Sequence, residues 1–181
     1  MNFNEDTMGW GDLFNIWLFE LTPNHYTNNT INFTGVSNIV NGNNIYNPIT
    51  NAVKDFPRGN GNKVLNICTD LANGLPQGGI KSGYFTYDVN AFYSTLSNAN
   101  LGIQMLGSFP ITAYILSKTT NSAVVKFTIN NDLGWESGTR FIKGQPGKGN
   151  EGVIPNKPVG SGLHFGGTIT NVFTWTETIN F

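Results

Sequence analysis

Four polar residues in the second half of the chain could converge on a site for general acid and base catalysis. Such catalysis needs titratable groups that meet in space, and a chain with two histidines has few of them. Glu177 lies on the apolar face of the last predicted strand, where a lone carboxylate is costly. If that strand pairs near the preceding hairpin, the candidate catalytic residues are Glu136, Arg140, His164 and Glu177.

A structural role is open to the same groups. Glu177 could form a salt bridge with Arg140, or it could be exposed where a terminal strand frays. We favour such a role for Glu177 over a catalytic one. Three other titratable residues occupy positions typical of loops, turns or caps, and they are His25, Asp70 and Asp88.

The sequence carries no motif for a metal or a cofactor. His25 and His164 do not have a metal-ligand spacing such as His-Glu-x-x-His, and no Gly-x-Ser-x-Gly elbow is present. The glycine-rich stretch 144–152 lacks the strand and helix that flank a nucleotide-binding loop. The single cysteine, Cys68, excludes an internal disulfide, and its apolar neighbours predict a buried structural thiol. We therefore expect no cofactor and no metal.

Composition and length limit the class of protein further. The chain has 181 residues, which predicts a single domain spanning 1–181, with 12 % charged residues and a net charge of −1. No basic patch occurs, which argues against binding to nucleic acid. No run of 18 apolar residues occurs, so no membrane-spanning helix is expected. The first ten residues do not resemble a signal peptide, so we expect secretion, or delivery into a target cell, by another route.

The last strand is the most strongly patterned element of the chain. From 168 to 181 its odd positions are apolar or aromatic apart from Asn171 and Glu177, while its even positions are mostly threonine. The same alternation over 111–116 and 123–130 predicts a β-hairpin. Between this hairpin and the last strand lies a long connection with little regular pattern, and long ordered loops are often functional.

The N-terminal half favours helices. Apolar residues of Gly9–Leu21 predict a helix buried on most sides, with Asp12 capping its start. The stretch 63–71 fits a helix or a strand. Further short helices are predicted at 48–56 and 91–97, and short strands at 31–33, 84–87 and 101–106. The fold class predicted is α+β, with an antiparallel β-sheet or sandwich in the C-terminal half and two or three short helices from the N-terminal half.

Three segments of the chain resemble a known family. They are GWGDLFNIWLFEL near the start, LGSFPITAYI in the middle and GGTITNVFTWTE near the end. Their order resembles the variable C-terminal extensions of bacterial Rhs-repeat (YD-repeat) proteins. The resemblance implies a polymorphic toxin module, held in the Rhs shell of the parent chain, delivered by type VI or related secretion in interbacterial competition, and neutralised by a cognate immunity protein. It implies no particular catalytic residues.

Two functional hypotheses follow. The first is a secreted antibacterial or host-directed effector module. An enzymatic version would use the four candidate residues, and a membrane-active version would insert the helix at Gly9–Leu21 or the threonine-rich strands. The second is a non-enzymatic β-rich binding or structural module, such as a lectin-like or virion-surface domain. Exposed tyrosine, tryptophan and asparagine side chains could stack on sugars and hydrogen-bond to them.

Overall fold

The computed structural model describes residues 8–21, 30–34, 64–85, 107–136, 154–163 and 165–181. Two helices and five strands occur in these residues. In chain order they are α1 (Trp10–Phe19), β1 (Thr30–Thr34), α2 (Ile67–Ala72), β2 (Ile80–Phe85), β3 (Phe109–Lys118), β4 (Ser122–Leu133) and β5 (Ile169–Asn180). The helices predicted at 48–56 and 91–97 and the strand predicted at 101–106 lie outside the described residues.

The five strands form one mixed sheet in the order β1-β5-β4-β3-β2. β2 to β5 pair antiparallel, and β1 pairs parallel with β5. The α+β class, with a largely antiparallel sheet and two short helices, is therefore confirmed. The N-terminal half supplies both outer strands as well as the helices. The last strand of the sequence, β5, consequently lies inside the sheet between β1 and β4.

The β3–β4 hairpin follows the predicted alternation, with every second side chain buried from Phe109 to Ile115 in β3 and from Ala123 to Leu133 in β4. Its turn is closed by two residues. The backbone N–H of Thr119 donates to the carbonyl of Ser122 at 2.8 Å, and the Thr119 hydroxyl accepts from the Ser122 N–H at 3.1 Å. Short polar residues thus fix the turn at its predicted position.

One face of the sheet, called here the core face, consists of the odd-numbered side chains, which in β3 extend as far as Ile115, and most of them are buried. Phe33 and Phe173 stack across β1 and β5 with ring centroids 4.9 Å apart, and Phe127 and Trp175 stack across β4 and β5 at 5.2 Å. The helices add to the same buried cluster Leu13, Ile16, Trp17, Ile67 and Leu71. A single core is therefore formed between the buried face of the sheet and one face of each helix.

The ends of α1 are set by local hydrogen bonds. The Asp12 carboxylate accepts from the Gly9 N–H at 2.9 Å, so the predicted capping role of Asp12 is confirmed. At the other end Glu20 adopts the left-handed conformation with φ of 54°. The N–H of Leu21 then donates to the Ile16 carbonyl at 3.0 Å, which satisfies one of the free carbonyls of the last turn.

The burial predicted for α1 is only half right. Leu13 and Ile16 are fully buried, but Phe14 is 42 % exposed and Phe19 is 52 % exposed. Only one side of the helix packs on the core, so the apolar residues at the margins of its broad apolar stripe are partly exposed.

α2 resolves the segment whose periodicity fitted a helix or a strand. Ile67 and Leu71, four residues apart, lie on one side of this helix and are buried. Cys68 follows Ile67 by one position, about 100° around the helix, and it is exposed. The predicted buried thiol is therefore wrong, because helical geometry takes Cys68 away from its apolar neighbours in sequence.

Lys118 joins the end of β3 to α2. A bulge near the end of this strand shifts the alternation, so that Lys118 pairs with the buried Ala123. Its ammonium group donates to the carbonyls of Leu71 and Leu75 at 2.8 Å each. These carbonyls lie at and just beyond the C-terminal turn of α2, so Lys118 caps that helix. Its positive charge also interacts favourably with the negative end of the helix dipole.

Two glycines before β5 permit a close approach between the loop and the core. A Cβ on Gly167 would lie 2.4 Å from the Cα of Val159, and one on Gly166 would lie 2.7 Å from Nε1 of Trp135. Gly166 also has a φ of 82°, a conformation that side chains disfavour. Its N–H donates to the carbonyl of Leu18 at 2.9 Å, which ties the entry of β5 to α1.

Candidate functional site

The sheet register separates the two described members of the predicted catalytic cluster. Glu177 lies opposite Val125, near the hairpin end of β4, whereas Glu136 follows Leu133, which pairs with Ile169 at the other end. Along β5, Glu177 is eight residues beyond Ile169, a distance of about 26 Å at ~3.3 Å per residue. Glu136 and Glu177 therefore lie towards opposite ends of the sheet and do not share a site.

The other two members of that cluster, Arg140 and His164, lie outside the described residues. Each is close in sequence to a described residue at the Glu136 end of the sheet. Trp135 donates its indole N–H to the carbonyl of Phe165, so these two chain segments lie side by side there.

Glu177 has a structural partner on its own strand. Its Oε1 accepts from the indole Nε1 of Trp175 at 2.8 Å. Side chains two residues apart on a strand project from the same face, so Trp175 and Glu177 are adjacent. The carboxylate thereby satisfies the polar atom of a ring that is 3 % exposed. This contact gives one of the two carboxylate oxygens of Glu177 a structural partner.

Glu136 also has a structural partner, Asn156. The Glu136 N–H donates to Oδ1 of Asn156 at 3.0 Å, and the Asn156 N–H donates to Oε1 of Glu136 at 3.4 Å. The two residues thus join the exit of β4 to the loop that leads to β5. A carboxylate held in this way stabilises the loop, and none of the described residues beside it singles it out as a base.

The loop before β5 is held a second time by the end of α1. The Glu20 carboxylate accepts from the ammonium of Lys157 and from the backbone N–H of Gly160. The Thr168 N–H donates to the Lys157 carbonyl at 2.8 Å. The described part of the long connection is therefore anchored to the core at several points.

The described residues contain neither a cluster of metal ligands nor a helix able to span a membrane. Among them, no three His, Cys, Asp or Glu side chains are grouped closely enough to hold a metal ion. None of the helices in this part of the chain is long and apolar enough to cross a membrane.

The opposite side of the sheet, called here the open face, consists of the even-numbered side chains of β2 to β5. A row of hydroxyl groups crosses all four strands, because the register aligns Thr174 with Thr128, Thr128 with Thr112, and Thr112 with Ser82. Hydroxyl groups both donate and accept hydrogen bonds. The row therefore offers a flat polar surface about 14 Å wide, since neighbouring strands lie about 4.8 Å apart.

Aromatic and aliphatic side chains flank this row. Tyr84 is 61 % exposed and Tyr114 is 40 % exposed, and Tyr114 lies beside Ile80, which is its register partner in β2. Charges are sparse on the open face, where the ionisable side chains with carboxylate or ammonium groups are Asp132 and Lys126. Asp132 accepts from the hydroxyl of Thr170 at 2.7 Å. The surface is suited to stacking and neutral hydrogen bonding rather than to proton transfer.

A second exposed surface, called here the apolar patch, lies at the end of α1. Phe19 and Phe165 are in edge contact with ring centroids 6.3 Å apart, and both are more than half exposed. Leu163, two residues before Phe165, is fully exposed, and Leu21, two residues beyond Phe19, is 42 % exposed. Adjacent exposed apolar side chains of this kind often mark an interaction surface.

Part of the open face is visible in the sequence. The even positions of the last strand are mostly threonine, and Tyr114 lies on the same face in β3. Their alignment into a row depends on the strand order and register, which no local pattern shows.

Comparison with known proteins gives no relative: no family model, no curated protein and no solved structure matches the chain.

Proposed function

We propose that this chain is a delivered effector module of an Rhs-type protein. The observation that carries the proposal is the ordered occurrence of the three segments GWGDLFNIWLFEL, LGSFPITAYI and GGTITNVFTWTE.

The test is growth of a sensitive bacterium after induction of the chain, in the cytoplasm in one strain and in the periplasm in another. Growth should stop in at least one compartment. Gly167→Val is the matched control, because a side chain there collides with the backbone of Val159 and should prevent folding. Normal growth in both compartments, with folded protein present, would contradict the proposal.

Glu177→Gln tests whether Glu177 has a catalytic role. A glutamine oxygen can still accept from the Trp175 indole, so the variant should fold and should arrest growth as well as the parent chain. A folded Glu177→Gln protein that no longer arrests growth would make Glu177 a catalytic candidate again.

The open face supports a second function, recognition of a neutral glycan. Exposed Tyr84 and Tyr114 can stack on sugar rings, while the adjoining row of threonines can hydrogen-bond to sugar hydroxyls. The scarcity of charge on this face favours an uncharged glycan over an anionic one. This is the non-enzymatic alternative for the chain, and it is compatible with effector delivery if binding is the mode of action.

A glycan array, followed by titration calorimetry on any hit, tests this second function. Tyr84→Ala and Tyr114→Ala should each weaken binding about tenfold, which corresponds to about 1.4 kcal/mol. Phe165→Ala is the matched control, because it removes an exposed aromatic ring outside the open face. Absence of any glycan ligand, or equal loss with all three variants, would count against recognition by this face.

The apolar patch is the surface that we propose for the immunity protein. Protein interfaces favour exposed aromatic and aliphatic anchors, and Lys157, the basic residue next to the patch, is already paired with Glu20. If a protein encoded beside this chain binds it, Phe19→Ser combined with Leu163→Ser should weaken the complex. Tyr84→Ser combined with Tyr114→Ser is the control, and a stronger loss with the control pair would place the interface on the open face.

A further inference from the structure

Asn171 is a polar residue in the middle of the core face. It is 0 % exposed, and its strand neighbours Ile169 and Phe173 are equally buried. Within the described part of the chain, neither Oδ1 nor Nδ2 of Asn171 has a hydrogen-bond partner. Burying a carboxamide in this state costs free energy, so buried amides in proteins almost always bind a protein group or an ordered water.

Asn171 has a polar neighbour on the β4 side and an apolar neighbour on the β1 side. Across the antiparallel pair its register partner is Asn131, which is 4 % exposed. Facing residues in such a pair have Cβ atoms about 4.5–5.5 Å apart, so the two carboxamides are close neighbours on one face. On its other side the partner in β1 is Ile31, which has an apolar side chain. A polar site therefore lies between β4 and β5.

An indole lies under the same end of the sheet. Trp17 is 5 % exposed, and its Nε1 has no hydrogen-bond partner in the described residues. The Trp17 ring contacts that of Trp135 with centroids 4.9 Å apart, and Trp135 follows the end of β4 by two residues. This indole is a second buried donor that a water molecule could satisfy.

We propose that the core face contains an internal water site at Asn171. Water both donates and accepts, and buried waters make about three hydrogen bonds on average. One molecule between β4 and β5 would donate to Oδ1 of Asn171 and contact the carboxamide of Asn131, and a second would accept from Nδ2. A larger polar ligand is disfavoured, because the Asn171 side chain is closed off from the surface.

The test is water-to-amide NOE and ROE spectroscopy of the side-chain NH₂ groups in the ¹⁵N-labelled chain. The Asn171 group should show cross-peaks whose sign indicates a water molecule that stays bound for longer than the rotational tumbling of the protein. Asn130 is the internal control, because it is the exposed neighbour of Asn131 and should show only rapidly exchanging water. A high-resolution crystal structure should show solvent density beside Asn171.

Asn171→Val completes the test by identifying the signal. The long-lived water cross-peaks should disappear in this variant and persist in Asn130→Val. The proposal is overturned if the parent chain shows no long-lived water at Asn171. It is also overturned if the carboxamide of Asn171, rotated by 180°, hydrogen-bonds directly to Asn131. The measurement on the parent chain decides by itself, so a variant that fails to fold leaves no ambiguity.

Discussion

The two faces of the sheet are made by the same strands but have different physical demands. On the core face, β5 presents Ile169, Phe173 and Trp175, which pack against other rings and the helices. On the open face, the same strand presents threonines, of which Thr174 aligns with Thr128 of β4 and, through it, with Thr112 of β3. The core face determines whether the chain folds, whereas the open face can change without altering the fold. The glycan recognition proposed above would therefore use the open face.

This difference changes what the Rhs resemblance means. The three segments that carry it form α1, β3 and β5 with its preceding glycines, and most of their apolar residues are buried. In the segment Trp175-Thr176-Glu177, the indole donates to the carboxylate, so the pair has a structural purpose. The resemblance thus concerns residues that build the core, and it carries information about the fold more than about a mechanism.

The largest difference is expected when adjacent residues of β5, one on each face of the sheet, are compared for their contribution to the free energy of unfolding. Phe173→Ala removes a fully buried ring stacked on Phe33 and should lower the free energy of unfolding by about 3–5 kcal/mol. Thr174→Ala, one position along and on the open face, should change it by less than about 0.5 kcal/mol. Urea denaturation of both variants measures this, and similar losses would show that the open face is also packed.

The next largest effect is expected where the loop meets the core. Gly167→Ala places a methyl group against the backbone of Val159 and should cost about 1–3 kcal/mol. Gly11→Ala is the matched control, because a Cβ there meets no atom within 4 Å. Since alanine favours helices, Gly11→Ala should be neutral or stabilising by up to about 1 kcal/mol. Thermal and urea denaturation should both show that Gly167→Ala lowers the free energy of unfolding and that Gly11→Ala leaves it unchanged or raises it. Equal destabilisation by the two substitutions would contradict the packing described.

A smaller effect separates two lysines of the hairpin. Lys118→Met removes two hydrogen bonds to the end of α2 and should destabilise the protein by about 1–2 kcal/mol. Lys126→Met, on the open face, should have an effect within about 0.5 kcal/mol of zero. Denaturant unfolding with hydrogen exchange at α2 tests the difference. If α2 exchanges equally in both variants, Lys118 does not cap the helix.

The smallest effect is expected at Glu177. Glu177→Ala removes the acceptor of the Trp175 indole and should cost about 1 kcal/mol, since Glu177 is partly exposed. Glu177→Gln should retain most of that stability. The comparison is made by urea unfolding together with the indole N–H chemical shift of Trp175. An unchanged indole shift in Glu177→Ala would mean that this hydrogen bond does not form in solution.

Local periodicity was sufficient to predict much of the fold. α1, the β3–β4 hairpin and β5 each have a strong pattern, and their existence is confirmed. The parallel pairing of β1 with β5 was not predictable in this way, because it joins residues 140 positions apart, as in the pair Thr30 and Thr170. The bulge that places Lys118 beside α2 likewise leaves no clear mark in the sequence.

The candidate catalytic cluster shows the same limit. Glu177 was correctly recognised as unusual, because a carboxylate on an apolar strand face requires a partner. Its partner is Trp175, two residues away on the same strand. The spacing alone predicts this contact, because side chains two residues apart on a strand lie on the same face. Whether Glu136 lies near Glu177 depends on the β4–β5 register, which only the structure supplies.

The position of β5 also has a consequence for synthesis on the ribosome. The strand between β1 and β4 is made after both of them, so β1 has no neighbour in the sheet until β5 has emerged. At about 5–20 residues per second, the 140-residue interval between paired residues keeps β1 waiting for roughly 7–28 s. For roughly the last 2–8 s of this time β4 also exposes a strand edge that other chains could join, since Asp132 precedes its partner Thr170 by 38 positions. A carrier or chaperone that shelters the nascent chain would matter most in this interval.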